Sequence, residues 1–427
     1  MEHAPEPLRP PRRHIPGGLL ALPVALLAGL TAAAAAVHVA NASSRVAVAP
    51  PVPAPAPLPK AREPSLASLL AAASYDPAQD RYLARLSGGE TVPLTLVPSF
   101  QRALDKLLSD YHPAHAEIVA LDPRSGAILA WARETSDDPA AAGLSGDAFP
   151  AASIFKLVTA SALLDRGISA DEQVCFHGGE HRLHPRQLVD DGPRDRRCLS
   201  LAQAVAKSAN AAIAKLALRD LDPVRLRDWA GRLLFNRPLP VLFAAPGDTA
   251  DGSAAEVPED PFDFAATAAG FGNVTLTPLH GAALAAAIGQ GGTLAPPRLI
   301  AGDSGAPERL LPLGIARELT AMMAETVHAG TARRAFRSRA ARALAAAGKT
   351  GSIDTHGPFR DFTWFVGFAP ALDPRIAVAA VVVNGTRWRI RAPQVASAAL
   401  IDYLHPAPPG RRVARRGGVR HRRRHRG

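Results

Sequence analysis

Lysine, cysteine and aromatic residues are all scarce in this chain of 427 residues. Only two cysteines are present and no Cys/His spacing resembles a zinc site, so we predict no bound metal. A P-loop and a G-x-G-x-x-G sequence are both absent, which excludes the common phosphate-binding loops and leaves no reason to expect a cofactor. Only six lysines occur, against 43 arginines. Because lysine can lose its proton and arginine cannot, a lysine within a motif is unusually informative here.

The net charge of +11 originates at the C-terminal end of the chain. Residues 411–427 contain nine arginines and no acidic residue, which leaves 40 basic against 38 acidic residues elsewhere. A nearly neutral body is not typical of a nucleic-acid-binding fold, so we predict no nucleic-acid partner. We interpret residues 406–427 as a disordered tail that either solubilises the protein or binds anionic surfaces of the envelope.

A long uncharged run near the N-terminus predicts contact with a membrane. Residues 17–37 contain no charge, and Arg9, Arg12 and Arg13 precede them. The length suits a bilayer-spanning helix, and the basic flank orients it with the N-terminus inside. We therefore predict a cytoplasmic stub at residues 1–14 and a single transmembrane anchor at 15–40, with the remainder extracytoplasmic (periplasmic). The alternative is a cleaved signal peptide with a small-x-small site at residues 40–42.

The residues after this run read as a spacer followed by a folded body. Seven prolines lie within residues 50–64, which predicts an extended linker over 41–64. We interpret residues 65–93 as a short segment ahead of the main domain. The two cysteines, Cys175 and Cys198, lie 23 residues apart in one polar stretch. Export favours a disulfide between them, and two free thiols are the alternative.

The hydrophobic pattern predicts an α+β domain in which strands at both ends of the body enclose a helical middle. The sheet must then pair segments that are distant in sequence. The predicted strands are 116–121 and 127–132, joined by a turn, with 362–368 and 376–383; the predicted helices are 154–164, 199–221, 278–288 and 392–404.

Three short motifs carry candidate chemistry. Ser153 and Lys156 are three residues apart on a predicted helix and therefore share a face. A serine is a weak nucleophile until a base takes its proton, and a lysine whose pKa is lowered can be that base. The second motif is Ser208-Ala-Asn210, within an Ala-rich helical stretch. Ser208 would relay a proton and Asn210 would hold a substrate amide, or the pair is only a polar helix break.

The third motif is Lys349-Thr350-Gly351-Ser352, ahead of strand-like residues. A cationic Lys349 would lower neighbouring pKa values and attract a carboxylate, to which Thr350 would hydrogen-bond. Gly351 would allow a substrate to approach the backbone closely. The backbone N–H of Ser352, with that of Ser153, would form an oxyanion hole. Two of only six lysines therefore stand in motif positions.

Together these motifs resemble those of the penicillin-recognising serine acyltransferases, specifically the transpeptidase domain of penicillin-binding proteins. Further segments are similar to that family: residues 121–129, 149–153, 270–279, 330–332 and 364–370. The resemblance covers residues 94–405 and implies a β-lactamase/transpeptidase-like fold, an antiparallel sheet flanked by helices with a helical lobe. One departure is Ala151-Ala152 before the serine, where Pro-Gly is common.

The resemblance implies a peptidoglycan D,D-transpeptidase of the cytoplasmic membrane, with stem peptides as substrates and β-lactam antibiotics as inhibitors. It also implies a separate glycan polymerase as a partner, because residues 65–93 leave no room for a polymerase domain. D,D-carboxypeptidase activity would use the same residues. A serine β-lactamase is a further alternative, although the chain has no Glu-x-x-x-Asn pair to activate water. A non-catalytic penicillin sensor or cell-wall scaffold is the alternative outside enzymes.

Overall fold

The computed structural model describes residues 65–405 apart from 143, 145–147, 179–181, 243–252 and 303. The predicted transmembrane anchor, proline-rich linker and Arg-rich tail lie outside these residues. Within them, no helix has the length and apolar character needed to cross a membrane.

The helices are α1 Leu66–Ala71, α2 Pro98–Tyr111, α3 Lys156–Asp165, α4 Leu201–Ala206, α5 Asn210–Asp220, α6 Pro223–Arg232, α7 Pro261–Ala268, α8 Pro278–Gly289, α9 Leu313–His328, α10 Arg339–Ala343 and α11 Ala392–Leu404. The strands are β1 Ala73–Asp76, β2 Arg81–Arg85, β3 Thr91–Pro93, β4 His115–Leu121, β5 Ile128–Thr135, β6 Phe149–Pro150, β7 Gln173–Phe176, β8 Arg197–Ser200, β9 Thr275–Leu276, β10 Thr293–Leu294, β11 Glu308–Arg309, β12 Ala347–Thr355, β13 Arg360–Ala369 and β14 Ile376–Asn384.

The main sheet has five antiparallel strands in the order β12-β13-β14-β4-β5. Its central strand β14 is buried along its whole length, which explains the nearly continuous run of Val and Ala there. The pairing of β4 with β14 joins the two ends of the body, with Leu121 opposite Ala377. This confirms the predicted α+β class and the pairing of distant segments.

Helices cover both faces of this sheet. On one face, Phe100 and Leu104 of α2 and Val395 of α11 pack against alternate residues of β4, β13 and β14. On the other face lies α8, where an added Cβ at Gly281 would stand 2.9 Å from the Cβ of Ala379. The glycine therefore permits a close approach of helix and sheet. The predicted helices 278–288 and 392–404 are confirmed.

Helices α3 to α7 form a helical lobe against the same core as α8. Two short strands within it, β7 and β8, place Cys175 opposite Cys198, and a disulfide joins them. The segment before the main domain is folded as well. Strands β1, β2 and β3 form a small sheet that is attached by a hydrogen bond from the amide of Ala301 to the carbonyl of Pro93 (2.8 Å).

The predicted continuous helix over 199–221 is wrong in two respects, because residues 199 and 200 belong to β8 and the helical part is interrupted. It is split into α4 and α5 by Ser208, whose φ of 57° lies in the left-handed region. An L-residue in this conformation cannot continue a right-handed helix. A polar break is therefore present in this stretch, with Ser208 at the break and Asn210 at the start of α5.

A buried histidine in α8 makes stability depend on pH. His280 is 1% exposed, its Nε2 lies 2.7 Å from the carbonyl oxygen of Leu233, and burial lowers its pKa to about 4. The folded state favours the neutral ring, so stability is complete above the unfolded pKa of about 6.5 and is lost as the pH falls from there toward 4. We expect the need to protonate His280 to lower the free energy of unfolding by about 3 kcal/mol at pH 4 relative to neutral pH. Denaturant unfolding of wild type and His280→Gln between pH 7 and 4 measures this loss. If the free energy of unfolding changed equally with pH in both chains, the expectation would be contradicted.

Candidate active site

The candidate nucleophile lies on a tight turn that leads into a helix. Ser153 is partly exposed on a 3-10 turn, Ala152–Phe155, immediately before α3. In a 3-10 turn, side chains three residues apart lie almost directly above one another. The Nζ of Lys156 is accordingly 2.6 Å from the Oγ of Ser153. The predicted pairing of these two residues is therefore present, on a tighter turn than the helix we expected.

Lys156 is enclosed within the site by polar partners. It is fully buried, and its Nζ donates hydrogen bonds to Oδ1 of Asn210 (2.7 Å) and to the carbonyl oxygen of Ala269. Desolvation holds the pKa of Lys156 well below its usual value, and the positive charge of Lys349 lowers it further. A lysine in this environment is able to accept a proton near neutral pH.

Ser208 and Asn210, on either side of the helix break in sequence, each contact a different lysine. The hydroxyl of Ser208 accepts a hydrogen bond from Nζ of Lys349 (3.0 Å), so its contact is with the second lysine rather than with Lys156. The acceptor oxygen of Asn210, which we expected to face a substrate amide, is engaged by Lys156. Both residues are therefore in the site, but their contacts differ from those expected.

Strand β12 supplies the third motif from the edge of the main sheet. Lys349 is fully buried, and its Nζ also donates to the carbonyl oxygen of Thr350 (2.8 Å). Burial lowers the pKa of Lys349 to about 7. The pKa of Lys156 is lowered by burial and also by the charge of Lys349, so a charged Lys349 favours the neutral form of Lys156. The arrangement thus favours a neutral Lys156 beside a cationic Lys349.

Thr350 has a partner that the sequence did not reveal. Its Oγ1 is hydrogen-bonded to Oγ1 of Thr331, a residue of the Gly330-Thr-Ala segment for which we had no predicted role. An added Cβ at Gly330 would stand 2.2 Å from the carbonyl oxygen of Ala206, so the segment passes close to the end of α4. Two hydroxyls therefore lie together next to Lys349, a group suited to a carboxylate.

Gly351 packs against the turn that carries Ser153. An added Cβ would lie 3.2 Å from the carbonyl oxygen of Ala151 and 3.3 Å from Ile154. Close approach of a substrate to the backbone at this glycine remains a prediction. Ser352, the next residue, is exposed. The glycine keeps the edge strand and the nucleophile turn in close contact.

Ala152, immediately before the nucleophile, has a φ of 48°, a left-handed conformation that favours glycine. This is the position where the sequence has alanine in place of the glycine common in the family. We expect Ala152→Gly to stabilise the folded chain by about 1 kcal/mol, because relief of strain exceeds the entropy cost of glycine. Urea unfolding measures this, with Ala72→Gly, at a right-handed helix end, as the control that should destabilise. A loss of stability in Ala152→Gly would contradict the expectation.

The segment from Ala269 to Asn273 forms the wall behind the nucleophile. An added Cβ at Gly270, whose φ is 93°, would stand 2.2 Å from the carbonyl oxygen of Ala152. The amide of Ala151 donates to the carbonyl of Val274 (2.9 Å) at the start of the β6–β9 pair. The only earlier signal for this wall was the similarity of residues 270–279 to the family. No sequence pattern indicated that the carbonyl of Ala269 would hold Lys156.

Within the part of the chain that the structure describes, no group of three or more His, Cys, Asp or Glu side chains is placed to hold a metal ion. The polar groups of the site are instead two lysines, an asparagine and hydroxyls, of which Lys156 contacts Ser153 directly. This set suits acid–base and nucleophilic chemistry at a carbonyl.

Comparisons with known proteins agree with this geometry. The family model described as the penicillin binding protein transpeptidase domain matches residues 116–401. The peptidoglycan D,D-transpeptidase PbpA of Mycobacterium tuberculosis is 28% identical over 356 residues, covering 72% of this chain and 70% of that protein. The structure of M. tuberculosis penicillin-binding protein A as a penicillin G acyl-enzyme matches with a TM-score of 0.55 and 25% identity, over 73% of this chain and 79% of that one.

The D,D-transpeptidase domain from Eggerthella lenta has the same fold, with a TM-score of 0.60 and 22% identity over 80% of this chain and 91% of that one. The family match spans the sheet strands from β4 to β14 and contains all three motifs. The chain therefore belongs to the penicillin-binding protein transpeptidase domain family.

Proposed function

We propose that this protein is a peptidoglycan D,D-transpeptidase that forms an acyl-enzyme at Ser153. The observation that carries the proposal is the 2.6 Å contact between Oγ of Ser153 and Nζ of Lys156, a fully buried lysine whose pKa is held low. The relative at 28% identity bears the name of this activity. The relative solved as a penicillin G acyl-enzyme supports a β-lactam as the inhibitor.

In the first step, neutral Lys156 takes the proton of the Ser153 hydroxyl. The oxygen attacks the carbonyl carbon between the two terminal D-Ala residues of a stem peptide. The C–N bond breaks, and the departing D-Ala receives a proton on its nitrogen. The Ser208 hydroxyl, which is bound to Lys349, is the group we assign to pass that proton. The products are an ester on Ser153 and free D-Ala.

In the second step, an amine of a neighbouring stem peptide attacks the ester carbonyl. A new amide bond forms, the C–O bond to Ser153 breaks, and the proton lost by the amine restores the serine hydroxyl. Lys349, Thr350 and Thr331 would hold the substrate carboxylate during these steps. The backbone N–H groups of Ser153 and Ser352 are our candidates for the oxyanion hole, supported by the close packing of β12 on the nucleophile turn.

We further propose that the domain is anchored to the outer side of the cytoplasmic membrane by residues 15–40, with a separate glycan polymerase supplying the strands. The support is the uncharged run with its basic flank. Alkaline extraction of membranes, followed by protease treatment of intact and of permeabilised spheroplasts, tests this topology. Release of the full-length chain by alkali would contradict a retained anchor.

Labelling with a fluorescent penicillin tests the acyl-enzyme. Wild type should form a stable covalent adduct, whereas Ser153→Ala should form none. Ser161→Ala, which removes a buried hydroxyl from α3, the helix that follows Ser153, is the matched control and should label normally. An unlabelled wild type would refute the proposed function, and a labelled Ser153→Ala would place the nucleophile elsewhere. A stem-peptide mimic with an added amine then separates cross-linking from hydrolysis.

The charge on Lys349 should set the alkaline limit of acylation. With a pKa of about 7, the ammonium that binds the substrate carboxylate is present below this pH and is lost above it. The second-order rate constant for penicillin acylation reports the free enzyme, so we expect it to fall roughly tenfold per pH unit well above pH 7. Lys349→Arg remains charged and should lose this alkaline decline. A decline that persists unchanged in Lys349→Arg would assign it to another group.

A further inference from the structure

The loop between β14 and α11 presents a tryptophan to solvent on a fixed backbone. All four tryptophans lie in the described part of the chain, and of these Trp388 alone is largely exposed (59%). The side chain of Asn384, which is fully buried, closes the loop. It donates to the carbonyl oxygen of Ile390 (2.9 Å) and accepts from the amide of Arg389 (3.0 Å). Hydrogen bonds of this kind fix the path of the loop that carries the indole.

Arg391 holds the indole from one side. Its guanidinium carbon lies 3.3 Å from the ring centroid, so the exposed surface of Trp388 consists of the opposite face and the ring edge. Arg387 and Arg389, the sequence neighbours of Trp388, are exposed and form no ion pair with the described residues. An open aromatic face between two guanidinium groups suits a flat ring with oxygen acceptors at its edge.

Two buried atoms beside the stacked guanidinium lack a hydrogen bond. Asp361 is 8% exposed and forms an ion pair with Arg391, whose Nη2 lies 3.5 Å from Oδ2. Oδ2 of Asp361 and Nε of Arg391 nevertheless have no hydrogen-bond partner among the described residues. Buried polar atoms left in this way are uncommon. A hydroxyl, which is donor and acceptor at once, would satisfy both atoms after a small shift of the side chains that cover them.

These features together favour a saccharide as the ligand. A sugar ring has a flat C–H face that stacks on an aromatic ring, and it carries hydroxyl groups at its edge. The other exposed residues at the tip of the loop are polar, namely Thr386, Arg387 and Arg389, so the tip offers no apolar groove for a helix or an extended apolar peptide.

The loop lies at the end of the sheet toward which the donor peptide runs in the proposed function. There, the terminal carboxylate is held at Lys349 and Thr350 and the scissile carbonyl at the amide of Ser352, so the rest of the stem continues along β12 toward Thr355. Asp361 is paired with the residue before Thr355. The strand from Ser352 to Thr355 covers about 10 Å, as do three residues of an extended stem peptide. The sugar that carries the stem therefore emerges at this end of the sheet.

We propose that Trp388, Arg387 and Arg389 form a binding site for the glycan strand to which the donor stem peptide is attached. The ligand class is a β-linked N-acetylhexosamine saccharide. The inference rests on the proposed function, in which the stem peptide lies along β12. Trp388 stacks on one sugar ring, and the two arginines donate to hydroxyl and acetamido oxygens. The bound strand raises the local concentration of the stem peptide and takes no part in the bond changes.

Binding of an uncharged saccharide to the full chain tests the site without any turnover. The probe is chitotetraose, a β-linked tetramer of N-acetylglucosamine, titrated by ligand-observed NMR into the detergent-solubilised chain. We expect Trp388→Ala to raise the Kd about tenfold, and Trp388→Phe, which keeps an aromatic face, to raise it less than about threefold. Arg387→Gln/Arg389→Gln should raise the Kd about fivefold. This rise should persist at about 0.5 M salt, because the probe has no charge to be screened.

The matched control is Leu372→Ala. Leu372 is 99% exposed beyond the opposite end of β13, so this variant loses exposed apolar surface far from the loop and should keep the wild-type Kd. Absence of binding to wild type, an equal Kd in Trp388→Ala, or an equal rise in the control would overturn the proposal. Trp388→Ala that lost binding to anionic lipid vesicles but kept its Kd for chitotetraose would assign the loop to a membrane surface and would also overturn it.

A comparison of two donors tests the link to the reaction. Trp388→Ala should raise the KM for a stem peptide carried on a disaccharide and should leave the KM for the same peptide without sugar unchanged. Equal changes for both donors would contradict a glycan site. Failure of wild type to label with penicillin would instead refute the proposed function. The chitotetraose titration does not depend on acylation, so the two failures are distinguishable.

Discussion

Lys156→Met is expected to slow acylation of Ser153 by penicillin about 10³-fold, within the range that general-base catalysis contributes. Methionine fills a similar volume but cannot take the serine proton. Lys156→Arg should be equally slow, because arginine stays protonated at all accessible pH values. Stopped-flow acylation with a chromogenic β-lactam measures the rate.

The control for this prediction is Lys106→Met, which removes an exposed lysine paired with Asp110 in α2. It should acylate at the wild-type rate. Because Lys156→Met leaves Asn210 and the carbonyl of Ala269 without their donor, thermal unfolding must show that the variant is folded. A folded Lys156→Met with a rate within tenfold of wild type would exclude Lys156 as the base.

Gly270→Ala is expected to lower the free energy of unfolding by about 3 kcal/mol and to slow acylation about 10²-fold. The new Cβ would lie 2.2 Å from the carbonyl oxygen of Ala152, so either the wall or the nucleophile turn must move. Ser153 directly follows Ala152. The carbonyl oxygen of Ala269, the residue before Gly270, accepts a hydrogen bond from Lys156. A shift of the wall therefore disturbs both groups of the reacting pair.

Gly167→Ala separates the two causes of this loss. Gly167 has a φ of 87°, close to that of Gly270, but an added Cβ there meets no atom within 4 Å. Gly167→Ala should lower the free energy of unfolding only by the cost of the backbone strain, about 1 kcal/mol, and should leave the acylation rate unchanged. Denaturant unfolding and acylation rates of both variants provide the comparison. Equal losses in the two variants would show that the close contact at Gly270 has no effect.

The sequence was sufficient to predict four of the five strands of the main sheet and the three motifs, but the predicted strands do not include β12. The strands of the sheet are marked by unbroken apolar runs, and the predicted strands 116–121, 362–368 and 376–383 lie within β4, β13 and β14. The pairing of Ser153 with Lys156 depends only on a spacing of three residues. Local patterns of this kind predict the structure correctly because they do not depend on contacts with distant parts of the chain.

Other contacts of the site were not predictable, for two physical reasons. Lys156 is held partly by the carbonyl of Ala269, and a backbone group leaves no mark on residue type. The contact between Thr331 and Thr350 joins two segments whose proximity depends on how α9 packs beside β12. The left-handed conformation of Ser208 was hidden in an Ala-rich run of high helix propensity, which tertiary contacts override.

The antiparallel pairing of β4 with β14 has a consequence for synthesis of the chain. The last motif ends at Ser352, yet β4 cannot pair along its full length with β14 until Val383 has been made. At a synthesis rate of roughly 5–20 residues per second, the edge of β4 that later pairs with β14 remains unpaired for tens of seconds. A chain that ends before Ile376 contains every motif residue but lacks the strand that closes the sheet. The smallest active fragment is therefore set by the order of the strands and not by the position of the last motif.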